Sequence, residues 1–171
     1  NAMNNFEFAN PVKVVFGKGT IARLSALIPA GSRVLMVYGG GSIKKNGIYD
    51  QVTNALNGFE VTEFSGIEAN PHYETCMKAV DVVKKKNIDF LLAVGGGSVI
   101  DATKFIAAAY YYEGEPWDIL SKGGVIKKAL PLGVVLTLSA TGSEMNERSV
   151  ISRAETREKL NFSSPLVFPQ F

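Results

Sequence analysis

The chain has 171 residues, an ordinary single-domain length, and is 46% hydrophobic and 20% charged, which excludes a disordered or collagen-like chain. Its 18 Lys+Arg against 16 Asp+Glu leave a net charge of +2, too balanced to argue for nucleic acid or an anionic membrane surface. One cysteine, Cys76, and one histidine, His72, exclude an internal disulfide framework and any multi-histidine or four-cysteine metal site built from this chain alone.

Cysteine usage fits a reducing cytoplasm, and no apolar run approaches the roughly 18 residues of a membrane span. Asn1-Ala2-Met3 reads as a cloning scar ahead of an initiator Met3, with residues 4–171 as one α/β domain. Residues 12–16 read as a short strand closed by Gly17-Lys18-Gly19. Residues 20–28 space Ile21, Leu24, Leu27 and Ile28 along one helix face. Residues 33–38 (RVLMVY) form a buried-type strand ending in Gly39-Gly40-Gly41-Ser42. A helix follows with Ile48, Val52, Ala55 and Leu56 on one side and Asn57-Gly58 as its stop. Residues 59–64 predict a strand. Asn70-Pro71 opens a helix through Met77, Val80 and Val83, which ends at Lys84-Lys85-Lys86-Asn87. Residues 90–94 (FLLAV) are a second buried-type strand, followed by Gly95-Gly96-Gly97-Ser98 and a helix through Ala109. Residues 110–129 read as irregular, and 132–138 as another buried strand. Residues 147–152 with 160–168 suggest a small antiparallel addition, and the last residues, 168–171, have strand-like apolar character that suggests a segment cut in mid-course.

Strands of near-continuous Val, Leu and Ile alternating with amphipathic helices imply a doubly wound, mostly parallel sheet covered on both faces. Such sheets bind ligands at the carboxyl ends of their strands. Two strands here run into Gly-Gly-Gly-Ser and then a helix. Glycines let backbone N–H groups approach an anion, and a helix N-terminus adds unpaired donors and partial positive charge. Either copy alone reads as a tight turn; two at strand ends point to ligand binding. Neither is a full dinucleotide fingerprint, because Lys44 and Ile100 stand at the third glycine position, and no P-loop is present.

Several residues carry structural explanations of their own. Ser98-Val99-Ile100-Asp101 fits a capping box. Lys44 and Lys45 would fall in the first turn of a helix capped by Ser42, where the dipole disfavours cations. An anion there would explain them; lysines pointing into water cost only a few tenths of a kcal/mol. His72 reads as a surface residue and Cys76 as helix packing. Tyr110-Tyr111-Tyr112 and Trp117 read as packing at a helix end.

In order along the chain stand Phe16-Gly17-Lys18-Gly19, Gly39-Gly40-Gly41-Ser42, Asn70-Pro71, Gly95-Gly96-Gly97-Ser98-x-x-Asp101, Pro116-Trp117 and Thr141-Gly142-Ser143-Glu144. This set resembles the N-terminal half of the iron-containing (group III) alcohol dehydrogenases, within them the NADPH-dependent butanol dehydrogenase and aldehyde reductase branch. The resemblance implies a Rossmann-like, dehydroquinate synthase-like cofactor domain from a two-domain cytoplasmic enzyme. The helical domain that would hold Fe or Zn through an aspartate and three histidines is absent from this chain, so the chain itself carries no metal ligand and no catalytic residue. The implied cofactor is NADP(H) and the implied partner a small aldehyde or alcohol; a homodimer follows by analogy.

The resemblance puts the pyrophosphate on Gly96, Gly97 and Ser98, with Asp101 beside the cofactor. Thr137, Leu138 and Thr141 would line the nicotinamide side, Asn146 and Lys159 would reach its ribose, and Asn70 would lie near the adenosine. NAD-preferring relatives carry an Asp where this chain has Gly39. Gly40, Gly41, Ser42, Lys44 and Lys45 would instead receive a 2′-phosphate. Glu63, about twenty residues past the first glycine turn, is the competing NAD-type signal. Ser139 and the run Met145-Asn146-Glu147-Arg148 depart from the family pattern. Alternatives are an NAD-dependent enzyme resembling glycerol dehydrogenase or dehydroquinate synthase, and a stand-alone nucleotide- or phosphate-binding module.

Overall fold

The computed structural model describes residues 10–137 and 142–171. Four parallel strands form its sheet: β1 (Arg33–Tyr38), β2 (Glu60–Phe64), β3 (Phe90–Gly95) and β4 (Leu132–Leu136). Their spatial order is β2-β1-β3-β4. The chain steps one way from β1 to β2, then crosses back over β1 to lay down β3 and β4, so the order reverses between β1 and β3.

Period-two alternation decides which residues face which layer. Leu35, Val37, Leu91, Ala93 and Leu132 point to one face. There α4 (Tyr73–Lys86) brings Cys76, Ala79, Val80 and Val83, and α5 (Gly97–Ala109) brings Ile100, Phe105 and Ile106. Val34, Met36, Tyr38, Leu92 and Val94 point to the other, against Leu24 of α1 (Leu24–Leu27), Ile43 of α2 (Ser42–Lys45) and Val52 of α3 (Ile48–Ala55). The remaining elements are a 3₁₀ turn ahead of α1 at Thr20–Arg23, a short α6 (Asp118–Ser121) and an antiparallel hairpin, β5 (Arg148–Arg153) with β6 (Glu158–Ser163). Ile151 and Phe162 of the hairpin join the α5 face of the core, so α5 lies between the sheet and the hairpin.

The doubly wound α/β reading therefore holds, although residues 110–129, expected to be irregular, contain α6, and three further local corrections apply. Residues 12–16 are not a strand. The edge of β4 is taken by residues 169–171 instead, with the Gln170 N–H donating to the Leu132 carbonyl at 2.7 Å and the Val134 N–H to that of Phe171 at 3.0 Å. The 12–16 segment reaches that edge through the Lys13 N–H to Gln170 carbonyl contact at 3.2 Å, and Phe16 is 96% exposed. Asn70 does not cap α4, which starts at Tyr73 with extended His72 before it. The reason is that Pro71 and His72 are held by the hairpin, where the Ser152 N–H donates to the Pro71 carbonyl at 2.9 Å. Third, β4 ends at Leu136 rather than at 138, and Leu138 lies outside the described residues.

The helix end at Lys84-Lys85-Lys86 is exposed, and Asn87 closes it in the left-handed region at φ 52°. Leu92, fully buried in a central strand, tests the packing. Leu92→Ala is expected to lower the unfolding free energy by about 2–5 kcal/mol in urea titrations, without changing the helix and sheet content seen by circular dichroism.

Candidate functional site

Because β1 and β3 are adjacent and in parallel register, with Tyr38 opposite Val94, the two Gly-Gly-Gly-Ser turns leave the sheet side by side. Thr137 follows β4 on the same edge, its N–H donating to the Gly95 carbonyl at 3.0 Å. The 65–70 loop crosses the first turn: the Gly66 N–H donates to the Gly39 carbonyl at 2.9 Å, and the Ser98 hydroxyl donates to the Ala69 carbonyl. That carries Asn70 to the second turn, where Lys159 of β6 donates to its Oδ1 at 3.3 Å. Gly40, Gly41, Ser42, Asn70, Gly96, Gly97, Ser98, Thr137 and Lys159 thus share one edge. Leu138 and Thr141 lie outside the described residues.

The glycines of the first turn do different work. A Cβ on Gly39 would sit 3.3 Å from the Ile67 carbonyl oxygen, whereas Gly40 and Gly41 face open space. In the second turn a Cβ on Gly95 would sit 2.8 Å from Cγ2 of Val99. The first glycine of each turn thus permits close packing. Gly40 and Gly41 leave backbone accessible.

Ser42 is the first residue of α2 rather than its cap; Gly41 precedes it and no side chain caps the helix. Lys44 and Lys45 are exposed, and the Lys44 ammonium lies 4.9 Å from the Tyr49 ring centre and 5.8 Å from that of Tyr38. Beneath that pair both Glu63 carboxylate oxygens are engaged, accepting from the Tyr38 and Tyr49 hydroxyls at 2.8 Å each. Burial and the Glu63 hydrogen bond push the Tyr38 phenol up to about 12.

The capping-box reading of Ser98 and Asp101 fails. Gly96 precedes α5, no side chain caps it, and Ser98 turns to Ala69. Asp101 reaches across to the segment before and within β5. Its Oδ1 accepts from the Ser143 hydroxyl at 2.5 Å and its Oδ2 from the Val150 N–H at 3.2 Å, while its backbone carbonyl accepts from the Ser149 hydroxyl at 2.7 Å. Burial pushes the Asp101 carboxyl up, against the Ser143 hydroxyl, the Val150 N–H and the Lys104 charge, which pull it down. Asn146 is held within the same segment. Its Oδ1 accepts from the Arg148 N–H at 2.9 Å, and its amide donates to the Gly142 carbonyl at 3.3 Å.

Sequence reasoning missed Lys104. It is fully buried in α5, and its ammonium donates to the Ser143 carbonyl, the Ser143 hydroxyl at 3.1 Å, Asn146 Oδ1 at 2.9 Å and the Arg148 carbonyl at 3.0 Å. Burial pushes the ammonium down to about 8, against the pull of the Asp101, Glu144 and Glu147 carboxylates. The available signal was a lysine inside an otherwise apolar helix, three residues after an aspartate.

His72 is half-buried with Nδ1 3.2 Å from Glu68, a partner the sequence reading did not foresee. Cys76 is fully buried, and burial raises its thiol far above the ordinary range, which fits a packing role. Trp117 is buried against Tyr73, and the Arg153 guanidinium lies over both rings. Among the described residues no group of three or more His, Cys, Asp or Glu is placed to hold a metal ion, and no helix is long and apolar enough to cross a membrane. A groove of about 790 Å³ runs between residues 12–21, Phe171 and β4, reaching Thr137 at its end.

The family model for iron-containing alcohol dehydrogenase matches residues 11–171. The chain is 57% identical to the "Probable NADH-dependent butanol dehydrogenase 1" of Bacillus subtilis (strain 168) and 56% identical to the NADPH-dependent aldehyde reductase YqhD of Escherichia coli (strain K12). Each match covers 99% of this chain and 44% of the relative, so the chain spans less than half the length of those proteins. The crystal structure of Escherichia coli K-12 YqhD superposes with a TM-score of 0.94 over 98% of this chain and 44% of that one, at 56% identity. The NADH-dependent butanol dehydrogenase A of Thermotoga maritima gives 0.92 at 49% identity, covering 98% of this chain and 43% of its own.

Two predictions come from this geometry. Gly95→Ala is expected to cost about 1–3 kcal/mol of stability by overpacking against Val99, while Gly40→Ala stays within about 0.5 kcal/mol; urea unfolding of both checks this. The second concerns pH. With the Lys104 pKa at about 8 when folded against 10.5 otherwise, the folded chain binds fewer protons than the unfolded one between those values. The burden of burying the charge is fully present below pH 8 and is relieved as pH rises through the window. Wild-type stability should therefore gain on that of Lys104→Met between pH 7.5 and 10, measured by paired urea titrations.

Proposed function

The chain belongs to the iron-containing alcohol dehydrogenase family, and from that membership we propose that it is the NADP(H)-binding portion of an oxidoreductase acting between a small alcohol and its aldehyde. The observation that most supports this reading is the pair of Gly-Gly-Gly-Ser turns side by side where the strand order reverses, the place where open α/β sheets take dinucleotides. When bound, NADP(H) supplies or accepts the hydride. Residues 4–171 act as a single cofactor-binding unit in this reading.

The roles of the chain's own residues follow from their positions. Gly96, Gly97 and Ser98 open α5, whose free N–H groups suit a pyrophosphate. Asn70 and Lys159, linked to each other beside Ser98, flank that point. Thr137 lies on the β4 side, and the segment containing Asn146 continues there. The iron or zinc that the resemblance implies gains no ligand set from the described residues.

One similar relative is named for NADH and another for NADPH, so the choice of cofactor rests on local chemistry. Two features favour a 2′-phosphate. Gly40 and Gly41 are open to a close approach, with Ser42, Lys44 and Lys45 around them. The Glu63 carboxylate, which would repel that phosphate and hydrogen-bond a bare ribose, is already engaged by two tyrosine hydroxyls. A charge-assisted hydrogen bond from this turn is worth about 1.5–3 kcal/mol. NADPH is therefore expected to bind at least about tenfold tighter than NADH in fluorescence titrations of the chain, with Lys44→Ala and Lys45→Ala narrowing the gap. Tighter binding of NADH would overturn the cofactor assignment. The 171-residue chain alone is expected to show no aldehyde reduction with NADPH, and robust turnover would overturn its reading as the cofactor-binding portion.

A further inference from the structure

Segment 142–150 leads into and includes the start of β5, and α5 grips it with two side chains one turn apart. Asp101 takes the Ser143 hydroxyl and the Val150 N–H. Lys104 takes the Ser143 carbonyl and hydroxyl, Asn146 Oδ1 and the Arg148 carbonyl. A lysine ammonium has three protons, and here four oxygens surround it in a site with no exposure. An apolar side chain at this position would avoid the desolvation penalty of the ammonium but would leave those oxygens without their donor. The ammonium ties three separated points of the segment, residues 143, 146 and 148, to one atom of α5.

The position of that segment gives the fixation a purpose. A dinucleotide crossing the β1–β3 switch point has its pyrophosphate at the α5 N-terminus and one half on each side. Its adenosine half faces the β1 turn and the end of β2, at Gly40 to Ser42 and Glu63. Its other half extends toward β4, at Thr137 and the 142–150 segment. The side chains that meet the first half are set by the sheet edge itself. Those on the other side stand on a connection that, among the described residues, α5 holds through the buried Lys104 and the partly buried Asp101.

We infer that Lys104 is a positioning residue for the nicotinamide half of the dinucleotide, acting by locking the 142–150 segment against α5 and leaving the adenosine half untouched. The inference rests on the dinucleotide-binding reading above. Its test compares two probes on the same chain: NADPH, and adenosine 2′,5′-bisphosphate, which has the adenosine half without the nicotinamide. Lys104→Met is expected to weaken NADPH about tenfold and to leave adenosine 2′,5′-bisphosphate within about twofold. Hydrogen exchange should quicken across residues 142–150 while residues 33–38 and 90–95 stay protected. Lys104→Gln, which keeps two donors, should give the same split to a smaller degree.

Equal weakening of both probes, or of neither, overturns the positioning role. So does failure of both variants to fold, which would make Lys104 a stability residue. If the wild type binds neither probe, the dinucleotide reading itself falls, an outcome distinct from wild-type binding that the variants leave unchanged.

Discussion

The burial of α5 on all sides is the constraint on which the rest depends. Every residue from Val99 to Ala109 apart from Asp101 is buried, because the sheet covers one side and the hairpin the other. A helix enclosed in this way cannot shift to suit a ligand, so its N-terminus at Gly97 is a fixed point in the crevice. The enclosure also explains the composition. Ala102, Ala107, Ala108 and Ala109 let neighbouring layers approach closely, and Val99 packs so near the end of β3 that position 95 has room only for glycine. Where the helix carries charge, at Asp101 and Lys104, the charge is turned toward the one neighbour that offers polar backbone.

That pattern separates what was legible in the sequence from what was not. The strands β1 and β3 were legible because a strand buried on both faces must be apolar at nearly every position, and β4 because its sequence is apolar throughout although its end is exposed. The two glycine turns were legible because each follows such a strand directly. Local motifs misled wherever a distant partner competed for the same groups. Ser98-x-x-Asp101 has capping-box spacing, yet Ser98 bonds to residue 69 and Asp101 to residues 143 and 150. Asn70-Pro71 has the form of a helix start, but pairing with the hairpin at Ser152 holds Pro71 and His72 extended. Lys104 went unseen for the same reason, since its acceptors lie about forty residues away, at Ser143, Asn146 and Arg148.

Glu63 shows the same competition for a side chain's groups. By spacing alone it is the acidic residue expected to meet an adenine ribose. Its position at the end of β2 is right for that, with Glu63 opposite Met36 in the register. The nearby phenols of Tyr38 and Tyr49 take up both of its oxygens, however, and Lys44 lies over those rings. An acidic position in the sequence is thereby tied down beside a turn whose open backbone and lysines suit an anion.

The hairpin joins the two sides of the crevice. Its β5 strand holds Pro71 through Ser152, its turn holds the start of α4 through Glu74, and its β6 strand brings Lys159 to Asn70. Segment 142–150, locked to α5, is the same piece of chain that leads into β5. The loop carrying Asn70 and the segment carrying Asn146 are therefore connected through six paired residues of antiparallel strand rather than through flexible connections. The sheet edge sets where a ligand can lie. The interaction between α5 and the hairpin sets how closely the groups on the β4 side can close around it.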